Sequence, residues 1–278
     1  MGWTHPTHPH SQNFRCKYDW KVFRLTVIGC SGSLPGPSSS ASSYLIEAEH
    51  QGDIHRVVMD LGSGAIGNLQ NHVNPREIDA VLLSHLHPDH CMDMCGYYVM
   101  RKYHPEGQMG PVDVFGPNNT REYLARAYGL DDGENMDEQF AFRNWSAEAA
   151  KPDPVEVGPM QIEVIQVDHP IEAYAIAVSY GPKRLVYTGD TGPNPDLIEF
   201  AAGADLLLAE ASFIKSANNP EHMHLTGADA GRLAKRAGVG RLLLTHIPPW
   251  YERSTVLAEA QNEFATAELV HPDAVYEL

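Results

Sequence analysis

Short apolar runs of strand length, each closed by small or turn-forming residues, recur along the chain. Phe23, Leu25, Val27 and Ile28 predict a strand opening near Val22 and ending at Gly29-Cys30-Ser31-Gly32-Ser33. The prolines and serines after it predict a loop rather than a linker, because a second strand over 44–48 resumes at once. A third strand over 56–59 closes at Asp60-Leu61-Gly62-Ser63-Gly64. Further strands are expected over 80–83, 112–115, 160–167, 173–179, 184–187, 205–209 and 241–244, with a last short one near Val275. Helical spacing predicts helices over 65–72, 92–103, 120–128, 226–237 and 255–264, with Thr226 as an N-cap and Gly238 as a stop. The segment 131–153 is acidic and weakly periodic, and it is broken by Gly133, Pro152 and Pro154. It marks a boundary between two halves.

Those halves echo each other. Val81-Leu82-Leu83-Ser84-His85 and Leu242-Leu243-Leu244-Thr245-His246 are each a short apolar strand that delivers a histidine at its end. Two similar halves with sheets face to face and helices outside give an α/β fold, a four-layer αββα sandwich, with the strand-end residues at a common edge. The expected organisation is a single domain of two halves over 22–278, preceded by an N-terminal extension over 1–21. The extension's His5, His8 and His10 alternate with prolines, which points to an irregular arm.

Composition narrows the function. The chain of 278 residues is 43% hydrophobic, enough for a substantial core, and its net charge of −16 opposes binding of a duplex or folded RNA. Cys16, Cys30, Cys91 and Cys95 form neither a disulfide framework nor a zinc-ribbon pair, so reduced thiols and a cytoplasmic location are expected. No apolar run is long enough to span a bilayer, and the N-terminus lacks the order of a secretion signal. A homodimer is compatible with this composition, and no membrane partner is expected.

The chemistry concentrates in Ser84-His85-Leu86-His87-Pro88-Asp89-His90, directly after a predicted strand. An extended segment sends His85 and His87 to one side, and a turn after Pro88 presents Asp89 and His90 toward a second ion. Imidazoles and a carboxylate at this density suit borderline divalent cations. A second group of strand-end residues, Asp168-His169 and Thr188-Gly189-Asp190, is followed by Glu210, then His222-Met223-His224 and Thr245-His246. The Gly/Ser loop around Ser31 can offer backbone N–H groups to an anion.

The segment from Ser84 to His90 resembles the signature of the metallo-β-lactamase superfamily. The resemblance implies that His85, His87 and His169 hold one metal and that Asp89, His90 and His246 hold the other. Asp190 is then the bridge, and Asp60 orients a ligand histidine. Two divalent ions, zinc first and manganese or iron next, would serve an in-line displacement at phosphorus. The segment from His222 to Ala230 is similar to the ribonuclease Z-like branch. There His224 would protonate the leaving oxygen and Glu210 would position it, with Asp89 a further catalytic carboxylate and His222 a bystander. Only about twenty residues separate His169 from Asp190, so the tRNA-gripping arm of ribonuclease Z is missing. The pattern from Gly29 to Trp250 resembles actinobacterial-type cyclic nucleotide phosphodiesterases. That implies hydrolysis of 3′,5′-cyclic AMP to 5′-AMP, with Trp250 or Tyr251 available to stack adenine. A tRNA 3′ endonuclease, a phosphodiesterase for another small cyclic phosphate and a non-enzymatic sensor are the alternatives.

Overall fold

The computed structural model describes residues 22–149 and 154–278. The N-terminal extension with its histidines, and the end of the expected boundary segment, lie outside the described residues. The first sheet is built from β1 (Val22–Ser31), β2 (Ser40–Ala41), β3 (Ser43–His50), β4 (Asp53–Met59), β5 (Ala80–Leu82), β6 (Val112–Gly116) and β7 (Phe140–Asn144). The second is built from β8 (Val155–Val157), β9 (Met160–Gln166), β10 (Tyr174–Tyr180), β11 (Lys183–Tyr187), β12 (Leu206–Glu210), β13 (Leu242–Thr245) and β14 (Glu268–Leu269). The last strand, β15 (Val275–Glu277), returns to pair antiparallel with β1.

Strand order is β15-β1-β3-β4-β5-β6-β7 in the first sheet, with β2 beside β1, and β14-β13-β12-β11-β10-β9-β8 in the second. Each sheet passes from antiparallel to parallel pairing. In the first, β4, β5, β6 and β7 run parallel, and in the second β11, β12, β13 and β14 do. Parallel strands end at one edge, so Asp60, His85, Asp190, Glu210 and His246 all emerge on the same side of their sheets.

Both faces of the central strands are buried, which is why they read as unbroken apolar runs. On β3, β4 and β5, Tyr44, Ile46, Val57, Met59, Ala80 and Leu82 point into a cluster shared with Ile176, Val178, Leu185, Tyr187, Leu208 and Leu243 of the other sheet. The alternate residues Leu45, Val58 and Val81 pack outward against α1 (Ala65–Leu69) and the helix that follows the one-turn α2 (Pro88–Cys91), namely α3 (Met94–Tyr103), with Leu124 of α4 (Thr120–Tyr128). After the short α5 (Trp145–Glu148), the second sheet is covered by α6 (Asp196–Phe200), α7 (Gly227–Ala237) and α8 (Arg253–Gln261) through Val186, Leu207, Leu242 and Leu244. The layers are those of the expected αββα sandwich.

Several elements differ from the sequence expectation. The helix expected over 65–72 ends at Leu69 and continues as tight turns, with Asn71 N bonded to Asn68 O and His72 N to Leu69 O (both 3.0 Å), while the Asn68 amide reaches Ile28 O (2.6 Å) and Asp273 (3.2 Å). The boundary segment holds structure: β7 pairs with β6, and Trp145 of α5 is buried, donating Nε1–H to Leu83 O (2.8 Å) and stacking on Phe115. No helix among the described residues is long and apolar enough to cross a membrane.

Candidate metal centre

The loop after β4 and the turn after β5 are pressed together where the site forms. Leu61 N donates to His90 O (2.7 Å), and a Cβ at Gly62 would lie 1.9 Å from Asp89 O. Only glycine allows that approach. Asp60 and His246 both adopt positive φ, at 55° and 53°, conformations that a non-glycine residue holds only when its surroundings require it.

The structure brings His85, His87, Asp89, His90, His169, Asp190 and His246 into one cluster. Four overlapping trios of donor atoms, each within 4.8 Å of one another, are His85/His87/His169, His85/His90/Asp190, Asp89/His90/His246 and Asp190/His224/His246. The first and third are the two ligand trios that the resemblance implies. Asp190 Oδ2 lies between them, 3.7 Å from His85 Nε2, 3.3 Å from His90 Nε2 and 3.1 Å from His246 Nε2.

Outer partners fix each ring. His90 Nδ1–H donates to Asp60 Oδ2 (2.7 Å), and His169 Nδ1–H donates to Met223 O (2.9 Å). Asp60, fully buried, also accepts from Ser84 N (2.7 Å), Ser84 Oγ (2.8 Å) and the Tyr187 hydroxyl (2.9 Å). Ser84 Oγ, its proton given to Asp60, accepts from His85 Nδ1 (3.0 Å), and Ser42 Oγ meets His246 Nδ1 (2.7 Å). Three imidazoles, those of His85, His90 and His169, are thus held as donors through Nδ1, and the Nε2 atoms of these rings and of His246 turn inward. Asp60 stands in sequence where an orienting carboxylate was expected. Ser42 and Tyr187 were not expected, since a lone hydroxyl carries no sequence pattern.

These atoms fit divalent cations. His90 Nε2, His246 Nε2 and Asp190 Oδ1 are buried without a hydrogen-bond partner, and groups so placed are costly unless something else satisfies them. His87 Nδ1 lies 3.0 Å from His85 Nε2 and 3.1 Å from His169 Nε2, and a single His87 proton could satisfy at most one of those lone pairs. Burial and the neighbouring His90 imidazole push the His85 pKa well below the ordinary value. Burial alone would raise the Asp190 carboxyl, but His246 and His90 outweigh it and hold its pKa well below the carboxylate range. Burial likewise disfavours charge on His90, yet Asp190 and Asp60 on either side outweigh it and raise its pKa well above normal. Positive charge is therefore favoured between those carboxylates, where an ion would sit.

Beside the cluster, His224 Nδ1–H donates to Glu210 Oε1 (2.9 Å), and the same nitrogen is 3.8 Å from Asp190 Oδ2. Glu210 is fully buried and is itself fixed by Thr191 N (3.0 Å) and Ser212 N (3.0 Å). Burial opposes charge on His224, but Glu210 and then Asp190 raise its pKa to about 9. His222 stands at φ 58° with Nδ1 bonded to Asp168 Oδ2 (2.5 Å). Of the other expected contacts, Ser31 Oγ is turned to its own loop, donating to Leu34 O (2.7 Å). Trp250 is 60% exposed, and Tyr251 packs on the outer core of the second half. Cys91 is buried and its thiol pKa is pushed up by burial, so it stays protonated.

Comparison with known proteins identifies the family. Residues 55–247 match the family described as Beta-lactamase superfamily domain. A protein of Mycobacterium leprae is 44% identical over 244 residues, covering 87% of this chain and 83% of the relative. The probable metallo-hydrolase YhfI of Bacillus subtilis is 32% identical over 87% of this chain and 93% of its own. The YhfI crystal structure superposes with a TM-score of 0.80 at 27% identity, over 93% of this chain and all of that one (100%). Ribonuclease BN of Escherichia coli is 26% identical over 91% of this chain and 99% of its own. With its family signature placed at the edge of a two-sheet sandwich and its donor atoms converging there, the chain belongs to the metallo-β-lactamase superfamily of metal-dependent hydrolases.

Proposed function

We propose that the protein is a phosphodiesterase for small cyclic nucleotides, opening 3′,5′-cyclic AMP to 5′-AMP at a centre holding two divalent ions, zinc before manganese or iron. The observation that carries this reading is the His224–Glu210 pair set against the donor cluster. Bound ions would polarise the phosphoryl oxygens and make water acidic enough to ionise near neutrality. Glu210 fixes the His224 ring with Nδ1 occupied, which leaves Nε2–H of the imidazolium to protonate a leaving oxygen. His85, His87 and His169 would hold one ion, Asp89, His90 and His246 the other, and Asp190 both. Asp89, 3.6 Å from His90 Nε2 and 3.7 Å from His246 Nε2, is also placed to accept a proton from attacking water.

Two features favour a small substrate over the RNA named for ribonuclease BN. Between His169 and Asp190 the chain runs only through the β10–β11 hairpin, with Tyr180 paired to Lys183, so no gripping arm is inserted there. The net charge of −16 would also repel a polyanion. The test is product analysis after incubating metal-loaded protein with cyclic AMP, cyclic GMP, a 2′,3′-cyclic nucleotide and a precursor tRNA. Formation of 5′-AMP is expected. Efficient tRNA cleavage without turnover of cyclic AMP would refute the proposal, and 3′-AMP as product would refute the assigned direction of attack.

A further inference from the structure

The ring of Phe213 stands against His224, with centroids 4.9 Å apart and planes at 86°. It is held there by main chain. Phe213 N donates to Leu225 O (3.0 Å), Phe213 bridges to Thr226, and it follows the buried Glu210 by three residues. Phe213, His224, Pro193, Asn219, His222 and Thr226 line a cleft of about 360 Å³, within the usual roughly 300–1,000 Å³ of small-molecule sites. His224 is the residue shared by this cleft and the trios of donor atoms. The cleft wall is also tied to the ligand loops. Asp168 holds His222, Met223 O accepts from His169, and a Cβ at Gly192 would lie 2.9 Å from His222 Cα.

From this geometry we infer that the cleft is the leaving-group subsite, taking the nucleoside half of the substrate with its base against Phe213 and its ribose toward His222. The inference rests on the phosphodiesterase reading above and deepens it. A general acid must lie within hydrogen-bond reach of the oxygen that departs, so the body of the leaving group lies on the acid's open side. When cyclic AMP is opened, water oxygen bonds to phosphorus, the P–O3′ bond breaks, and the His224 proton passes to O3′. The nucleoside carrying O3′ therefore lies beside His224, and the space beside His224 is this cleft. Trp250 is not among the residues that line it, and Tyr251 and Ser31 line a separate pocket of about 160 Å³ that does not contain His224. An aromatic face accepts any base, with selectivity left to contacts at the rim.

The test is calorimetric binding of 5′-AMP and of inorganic phosphate to metal-loaded wild type, Phe213→Ala, Phe213→Tyr and Trp250→Ala. Loss of the ring should weaken 5′-AMP about tenfold and leave phosphate within about twofold, on the scale of one base stacked on an aromatic. Phe213→Tyr should restore nucleotide affinity. Equal weakening of both ligands in Phe213→Ala, or unchanged 5′-AMP affinity, would overturn the subsite while leaving the phosphodiesterase reading standing. Loss of 5′-AMP affinity in Trp250→Ala instead would move the nucleoside to the other side of the site and also overturn it. Wild type that binds phosphate but not 5′-AMP would overturn the cyclic-nucleotide reading, and the subsite with it.

Discussion

Replacing Asp60 by Asn changes one atom of a buried hub, and the hydrogen bonds around that atom determine the effect. Oδ1 accepts from Ser84 N, and Oδ2 accepts from Ser84 Oγ, His90 Nδ1 and the Tyr187 hydroxyl. The main-chain N–H of Ser84 cannot become an acceptor, so the amide oxygen of the introduced asparagine stays on that side and the NH₂ takes the place of Oδ2. The two hydroxyls can rotate to accept. His90 can do so only by moving its proton from Nδ1 to Nε2, the atom aimed at Asp190 and His246. It then either keeps a buried donor against a donor, costing about 1–3 kcal/mol, or loses the lone pair that binds an ion. Either outcome predicts a roughly 10- to 100-fold loss of affinity for one ion, about 1.4–2.8 kcal/mol, the usual effect of removing a ligand's orienting partner. Chelator-competition titration of folded Asp60→Asn, with elemental analysis, measures this. Wild-type affinity for two ions would refute the tautomer argument.

Asp190→Ala should lose at least one of the two ions expected by elemental analysis of wild type, because Asp190 Oδ2 faces His85, His90 and His246; one ion in fully active wild type would contradict the dinuclear assignment. His224→Ala should slow cyclic AMP hydrolysis on the order of a hundredfold or more and slow bis-p-nitrophenyl phosphate far less, since a phenolate departs without a proton. An acid acts while protonated, so the rate should fall as pH rises through the His224 pKa, which the protein groups alone set at about 9. Bound cations bring that limb down. Glu210→Gln should bring it lower still, because Glu210 is the main group raising the pKa, and an unmoved limb in the pH–rate profile would show that His224 is not the acid.

Several of the candidate metal donors were legible because they stand just past the end of an apolar strand, where chain direction alone decides which residue reaches the edge, whereas Asp89 and His90 lie on α2. His85, Asp190 and His246 are legible in that way. The strands were legible for a related reason, since burial on both faces leaves no polar position to interrupt Leu206 through Ala209. The strand β7 escaped notice because it is an edge strand whose residues Arg143 and Asn144 face solvent, and its anchor, Trp145, lies just beyond it. The hydroxyls of Ser42 and Tyr187 gain their roles only when the two halves meet, and the ring of Phe213 only when its loop packs on the loop carrying His224. Periodicity within one element carries no record of such contacts.

The donors are divided between the halves, with His85, His87, Asp89 and His90 on the first and His169, Asp190 and His246 on the second. Ions held there would act as a clasp between two sheets that already share an apolar core. The complete donor set, assembled from contacts this distant in sequence, exists only once both sheets have formed and docked. The binding free energy of ions held by donors from both halves would favour the docked state. Removing ions held there would then weaken the seam between the halves.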